Sequence, residues 1–213
     1  MTPIDGFHGR VARIALAVAR HHGFVLGGGL ALIAHGTVAR PTADVDLFGP
    51  GSASVTAAAD AVRSALIAGG IRYGEVPYDD DLSEHMVELV AYRDDRDGDG
   101  VPISLSRLEI SRSPVLLDIG PVMDLRDLVA NKIAALVTRV EVRDFIDAAV
   151  FLADHTPAEL LAQARRVDPA LEDDDVRAVG RRLDRTPDRA FAPYRLDPAA
   201  IAVVRERFAA WPR

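Results

Sequence analysis

The residue types that suit catalysis are concentrated in residues 24–48, FVLGGGLALIAHGTVARPTADVDLF. Thr42, Asp44 and Asp46 alternate along its last part, so a β-strand would place all three side chains on one face. Two carboxylates about 6–7 Å apart on a strand can hold Mg²⁺ when substrate phosphates supply further oxygen ligands. A solvated strand edge is the alternative interpretation. We favour the metal site because of the glycines that precede it.

Three consecutive glycines, Gly27–Gly29, follow a short apolar run and precede LALIAHG, which is typical of a helix ended by Gly36. Glycine lets the main chain pass close to a bound group, and a helix N-terminus presents amide groups that suit phosphate. A tight turn also needs glycine, and neither GxxxxGK[ST] nor GxGxxG is present. A glycine loop followed by a carboxylate pair nevertheless outlines a nucleotide-binding site.

A third carboxylate could complete such a site, and three acidic residues lie in segments that favour strands. Glu109 lies in an alternating stretch, residues 103–110, while Glu88 and Asp118 lie in two other apolar stretches. The sequence alone does not choose among the three.

Lys132 is the one lysine among 25 basic residues. Such a bias is typical of a GC-rich genome, and a lysine retained against it points to chemistry that arginine cannot do. The plain alternative is an exposed surface lysine. Asp147 lies among apolar residues of a predicted helix, where a carboxylate must be paired or retained for function.

The hydrophobic period changes from strand-like to helical along the chain. Strands are predicted at 24–26, 42–48, 71–76, 86–92, 103–110 and 115–119, and helices at 7–22, 30–36, 54–68, 125–137, 143–152, 157–166, 173–185 and 199–210. The composition changes near 120–125, so we expect two domains, residues 1–122 and 123–213. The expected fold class is α+β, with a mixed β-sheet and flanking helices followed by a C-terminal helical bundle.

The 213 residues have a net charge of −7, and the acidity is uneven. Residues 1–124 contain 10 arginines and 17 acidic residues, whereas 125–213 contain 15 of each sign. A polyanion would therefore approach the second half more easily. The absence of cysteine excludes a disulfide scaffold and a thiol nucleophile. Without a signal-peptide pattern or a long apolar run, we expect a soluble cytoplasmic protein without membrane contact.

This arrangement resembles the DNA polymerase β-like nucleotidyltransferase superfamily, whose mark is a glycine loop, a helix and a D-x-D strand. Downstream motifs make it similar to the AbiEii-type (MenT-like) nucleotidyltransferase toxins. The motifs are Arg40-x-Thr42-x-Asp44-x-Asp46, RLEI at 107–110, NKIAAL at 131–136 and RDFID at 143–147. The match spans residues 22–152.

The resemblance implies transfer of NMP from an NTP, with Mg²⁺ or Mn²⁺, by the toxin of a toxin–antitoxin pair. The expected acceptor is the tRNA 3′ end, and the expected partners are the NTP, tRNA and a cognate antitoxin. The implied residues are catalytic Asp44, Asp46, Lys132 and Asp147; nucleotide-binding Gly27, Gly28, Gly29, Thr42 and Lys132; and metal-binding Asp44, Asp46 and Glu109. Asp147 would orient Lys132 or complete the site.

The acceptor has alternatives. The alternative acceptors are a protein and a small molecule such as an aminoglycoside. The alternative without catalysis is a degenerate nucleotidyltransferase fold used as a binding partner. The intact Asp44, Asp46 and Lys132 argue against the degenerate fold. An RNA acceptor would need a basic surface, for which the candidates are Arg139, Arg165, Arg166, Arg181 and Arg182. Each of these arginines also fits an ordinary solvated helix face.

Overall fold

The chain divides into a sheet-containing first unit and a helical second unit. The computed structural model describes residues 6–77, 85–93 and 100–213. The two compact units are Met1–Leu125 and Arg126–Arg213, where the sequence predicted domains of 1–122 and 123–213. The predicted α+β class is confirmed by the seven-stranded mixed sheet and the helices around it.

The first unit alternates short helices with strands. Its helices are α1 (Gly6–Ala19), α2 (Gly28–Ala34) and α3 (Val55–Ala68). Its strands are β1 (Val25–Leu26), β2 (Val45–Gly49), β3 (Arg72–Val76), β4 (Met86–Tyr92), β5 (Gly100–Arg107), β6 (Val115–Leu117) and β7 (Gly120–Val122). A 3-10 turn follows α1 and ends at Gly23, whose φ of +83° is a conformation that glycine adopts without strain.

The sheet has the order β3-β4-β5-β2-β1-β7-β6. Its central strands β2 and β5 are parallel, and β4 pairs with β5 in the antiparallel sense. Val45, Leu47, Ile103 and Leu105 alternate along β2 and β5 and are fully buried. Helices α1 and α3 pack against each other and against these strands, so the apolar face of the sheet is covered and the alternate face carries the polar side chains.

Helices alone make up the second unit, apart from one 3-10 segment, Asp188–Tyr194. They are α4 (Leu125–Arg139), α5 (Val142–Phe151), α6 (Pro157–Val167), α7 (Asp173–Arg185) and α8 (Pro198–Arg207). Local sequence sets several of the helix starts. Thr156 and Glu159 form a capping box at α6, and the Asp197 side chain accepts from the amide of Ala200 at α8.

An aromatic cluster forms the core of the second unit. Phe145 of α5 meets Phe208 edge to face at 5.6 Å, and Trp211 lies 5.2 Å from Phe208. The Trp211 Nε1–H donates to the carbonyl of Val176 in α7 at 2.9 Å. Gly180 leaves room for the chain end, because a Cβ there would lie 2.3 Å from the carbonyl oxygen of Pro212.

The predicted strand at 42–48 begins only at Val45, the predicted strand at 103–110 ends at Arg107, and one predicted strand is two. The stretch predicted as one strand at 115–119 is a hairpin, with β6 turning at Asp118 into β7. Val140, between α4 and α5, has a φ of +53°, which is strained for a β-branched residue. Within the described residues, no helix has the length and apolar character needed to cross a bilayer.

Candidate active site

Gly28 is the closest point between the glycine loop and the carboxylate pair. A Cβ on Gly28 would lie 1.7 Å from Oδ2 of Asp46. The φ of Gly28 is +61°, which also disfavours any other residue. Gly28 is therefore required both for its own conformation and for the space that the Asp46 carboxylate occupies.

The neighbouring glycines face different side chains. A Cβ on Gly29 would lie 2.8 Å from Oγ1 of Thr42 and 3.1 Å from the buried Arg40 guanidinium. A Cβ on Gly27 would lie 2.2 Å from the Phe48 ring. Each glycine of the triplet thus makes room for a residue at or near β2, and the loop packs directly on the segment that contains the carboxylates.

Of the three main-chain amides in the glycine loop, one donates a hydrogen bond to a described residue and two do not. The Gly27 amide donates to the carbonyl of Asp46 at 2.8 Å and so ties the loop to β2. Gly28 and Gly29 begin α2, where the first amides have no acceptor within the helix. Among the described residues no acceptor takes these two amides.

Asp46 lies on the polar face of the sheet as the alternation predicts, and Asp44 lies two residues before it. Asp44 immediately precedes β2 and Asp46 lies within it; both are half-buried, while Val45 between them is fully buried. The Nε2–H of His8 in α1 donates to the Asp44 carbonyl at 3.4 Å. Burial lowers the pKa of His8, and the contact with Asp44 offsets only part of that effect, which favours the neutral donor tautomer.

The donor set of this region suits magnesium. Among the described residues no group of three or more acidic or histidine side chains could enclose a metal ion. Mg²⁺ is commonly held by one or two carboxylates together with water and substrate phosphates. Asp44 and Asp46 beside two unused amides therefore fit a metal that arrives with a triphosphate.

The strand register distinguishes the three candidates for a third carboxylate. Asp46 pairs with Ser104 of β5, and Ser104 pairs with Glu88 of β4, so Glu88 shares the face of Asp46. Glu109 lies beyond the end of β5 and is exposed. Asp118 is exposed in the turn between β6 and β7.

The alternation along β5 places the residues in line with Glu109 on the face of the sheet opposite Asp46. Leu105 and Arg107 pair with Leu47 and Gly49, and this is the face opposite Asp46. An alternation continued to Glu109 would place it away from the carboxylate pair. The metal role of Glu109, which the family resemblance implied, stays a prediction.

Lys132 and Asp147 form an ion pair inside the second unit. Lys132 of α4 is 8% exposed, Asp147 of α5 is fully buried, and their Nζ and Oδ2 atoms are 3.1 Å apart. A second pair joins the same helices, where Arg139 donates two hydrogen bonds, of 2.8 and 2.7 Å, to the buried Asp144. A buried carboxylate at Asp147 thus has the charged partner that its apolar surroundings demand.

The predicted site residues fall into two groups. Gly27–Gly29, Thr42, Asp44 and Asp46 come together in the first unit, and Lys132 and Asp147 come together in the second. Sequence reasoning gave no role to His8 or to the buried Arg40. Arg40 lay within a quoted motif, whereas nothing in the local pattern distinguishes His8 from any other helical histidine.

Solved structures with similar folds place this architecture among the nucleotidyltransferases. MenT4, a nucleotidyltransferase toxin from Mycobacterium tuberculosis, superposes with a TM-score of 0.61 at 20% identity, covering 94% of this chain and 81% of MenT4. JHP933 from Helicobacter pylori gives a TM-score of 0.61 at 16% identity, covering 94% and 88%. At these identities the similarity establishes the fold. No curated protein sequence matches the chain significantly.

The family follows from the sequence model of the nucleotidyl transferase AbiEii toxin, type IV toxin–antitoxin system, which matches residues 11–211. The chain belongs to this family, and it is a nucleotidyltransferase toxin. The match extends well beyond residue 152, where the recognisable motifs end, so the helices α6 to α8 are part of the family's domain.

Proposed function

We propose that this protein transfers NMP from an NTP to the 3′ end of tRNA in a Mg²⁺-dependent reaction, and that a cognate antitoxin restrains it. The observation that supports this best is the packing of the Asp46 carboxylate against Gly28, beside the unused amides of Gly28 and Gly29. A carboxylate for metal and main-chain donors for phosphate lie in immediate contact, as a metal-bound triphosphate requires.

The proposed roles follow from the chemistry of each group. Asp44 and Asp46 hold the metal, which when bound neutralises charge on the phosphate oxygens. The amides of Gly28 and Gly29 donate to the triphosphate, and Thr42 lies against the same loop. The Gly27 amide is already bonded to Asp46, so we assign Gly27 to the shape of the loop.

The reaction is an in-line displacement at the α-phosphorus. The 3′-hydroxyl oxygen of the acceptor forms a bond to this phosphorus, and the bond to the β-bridging oxygen breaks, so that pyrophosphate leaves. Catalysis then consists of positioning and charge neutralisation. We assign Lys132 to the nucleotide phosphates, where a lysine can also give a proton to the leaving group, and Asp147 to the orientation of Lys132.

Transfer of α-³²P label tests this function. The protein is incubated with Mg²⁺, each α-labelled NTP in turn and total tRNA, and the RNA is separated from the protein on a gel. We expect label in tRNA with one preferred nucleotide and no label without a divalent metal. Loss of several kcal/mol of metal stabilisation predicts that Asp44→Asn and Asp46→Asn each lower the rate by about 1000-fold.

Lys132→Arg is the matched control for the lysine, since arginine keeps a positive charge beside Asp147. We expect this variant to remain folded but to transfer label slowly. Label in protein or in an aminoglycoside instead of tRNA would reassign the acceptor. Absence of label everywhere, together with no calorimetric binding of a Mg-nucleotide, would exclude the enzymatic proposal.

A further inference from the structure

The C-terminal half of α7 and the end of α4 line an open surface cavity of about 480 Å³ in the second unit. Its lining consists of Arg139, Val140, Ala178, Arg181, Arg182 and Arg185. We propose that this arginine cavity binds phosphodiester groups of the RNA acceptor. The inference rests on the proposed function for the identity of the RNA, but it locates a binding site that the reaction itself does not define.

The charge of the arginine cavity is largely unneutralised. The guanidinium groups of Arg182 and Arg185 make no hydrogen bond or ion pair with any described residue, and both side chains are exposed. Arg181 has only a longer-range attraction to Asp174. Arg139 differs, because its guanidinium grips the buried Asp144 through two hydrogen bonds. Three positive charges therefore face the cavity, and the fourth guanidinium forms a fixed part of its wall.

A second cavity, at the N-terminal end of α7, shows arginines whose charges are neutralised. This cavity, of about 450 Å³, is also lined by arginines, Arg165 and Arg177. Arg165 pairs with Asp173, however, and Arg177 pairs with Asp174. The pairing raises the pKa of Arg177 and lowers that of Asp174. Two cavities of similar size on one helix thus differ in charge, and only the arginine cavity has charge left for a ligand.

A favourable helix dipole does not account for the arginines of the cavity. The C-terminus of a helix carries about half a negative charge, which one cation balances, whereas Arg181, Arg182 and Arg185 bring three. Guanidinium groups match phosphate because they donate hydrogen bonds in a planar fork. Val140 keeps a strained positive φ at the cavity wall, and such strain is concentrated at ligand sites.

The lining favours nucleic acid over an acidic protein. Protein interfaces depend on aromatic and large apolar anchors at their centres. The arginine cavity offers only Val140 and Ala178 between its charged groups. A phosphate backbone needs charge and donors without such anchors. Of the five arginines singled out from the sequence, Arg139, Arg181 and Arg182 line the cavity. Arg166 lies outside it, and Arg165 pairs with Asp173.

The test compares two matched double variants, Arg182→Gln/Arg185→Gln and Arg165→Gln/Arg177→Gln. Each removes two arginine charges from the second unit. Binding of fluorescent tRNA is followed by anisotropy across a salt series, and KM values for tRNA and NTP are measured by label transfer. For the cavity variant we expect a KM for tRNA about ten-fold higher, an unchanged KM for NTP and a salt slope smaller by about 1.5. The control variant should match wild type.

Equal effects of the two double variants, or no effect of the cavity variant, would overturn the inference. The variant Arg182→Lys/Arg185→Lys keeps both charges, so its salt slope should equal that of wild type. That result would attribute the effect of the cavity variant to lost charge and not to a lost fold. Equal loss of binding to poly-glutamate would instead assign the cavity to an acidic protein. If the wild-type protein labels no RNA, the proposed function fails. Loss of tRNA binding in the cavity variant alone would still establish the arginine cavity as an RNA-binding site.

Discussion

Each unit of this protein holds a pair of aspartates, and the two pairs differ in burial. Asp44 and Asp46 are half-buried, and their segment is fixed by main-chain bonds and by glycines that leave room for it. Asp144 and Asp147 are fully buried and are held by ion pairs, the second of them with Lys132. The first pair is thus partly open to solvent, whereas the second is closed off from it.

Because the two pairs differ in burial, substitutions at them should have different effects on activity and on stability. The change Asp46→Asn removes a charge but keeps the main-chain bond that ties this position to the glycine loop. A buried carboxylate that loses its cation is left in an environment that cannot solvate it. Substitutions in the first unit should therefore change catalysis, whereas those at the buried pairs should change stability as well.

The largest expected effect is that of Lys132→Met. This change removes the Lys132 cation from beside the fully buried Asp147, and we expect the free energy of unfolding to fall by about 3–5 kcal/mol. Urea denaturation followed by circular dichroism measures the loss. Asp46→Asn is the control from the first unit, and its loss of stability should be smaller because Asp46 is only half-buried.

The double variant Lys132→Met/Asp147→Asn sharpens this test. Removing both charges should recover most of the stability, although label transfer should remain lost. A double variant as unstable as Lys132→Met would show that the two charges do not stabilise each other, and the contrast between the units would then be wrong.

A smaller effect is expected for Gly28→Ala, compared with Gly36→Ala. Both glycines have a positive φ, +61° and +71°, but a Cβ on Gly36 meets nothing within 4 Å. Each change should therefore cost about 1–2 kcal/mol of backbone strain. Only Gly28→Ala displaces Asp46, and a shift of about 1 Å at a reactive group lowers rates by about 100-fold.

The measurement is the rate of label transfer at saturating NTP, beside a melting curve for each variant. Equal activity of the two alanine variants would contradict the claim that Gly28 exists to make room for Asp46.

The smallest effect is expected for His8→Ala, which removes a hydrogen bond to the Asp44 carbonyl. A bond worth about 1 kcal/mol predicts a rate about five-fold lower. His8 is a positioning residue, so kcat should fall while the KM for tRNA stays unchanged. His8→Gln keeps a donor and should recover part of the rate; a variant His8→Ala with the wild-type kcat would remove His8 from the site.

The sequence was informative wherever a local rule determines the outcome. The period of two placed Asp44 and Asp46 on one face, and the apolar neighbours of Asp147 demanded a partner, which the structure supplies as Lys132. Family membership and fold class are confirmed by the AbiEii match and the nucleotidyltransferase structures. These inferences needed only strand geometry, the cost of burying charge, and ordered motifs.

What the sequence did not provide depends on residues far apart in the chain. The predicted strand that included Glu109 ends at Arg107, and the metal role of Glu109 rested on the family resemblance. Strand β7 contains glycine and proline, so no propensity marked it; it exists because β1 and β6 pair with it. The ion pairs that distinguish Arg165 from Arg182 likewise depend on which carboxylate packs nearby.

The register of the sheet also sets the order in which this protein can fold during synthesis. Strand β2, which holds Asp46, pairs with β5 at residues 100–107. Strand β1 pairs with β7, where Leu26 lies opposite Val122. Such distant pairings form slowly, since long loops must close first, whereas helices form from local contacts. A nascent chain that has emerged only as far as Asp46 therefore contains the glycine loop and both aspartates but lacks the strands that support them.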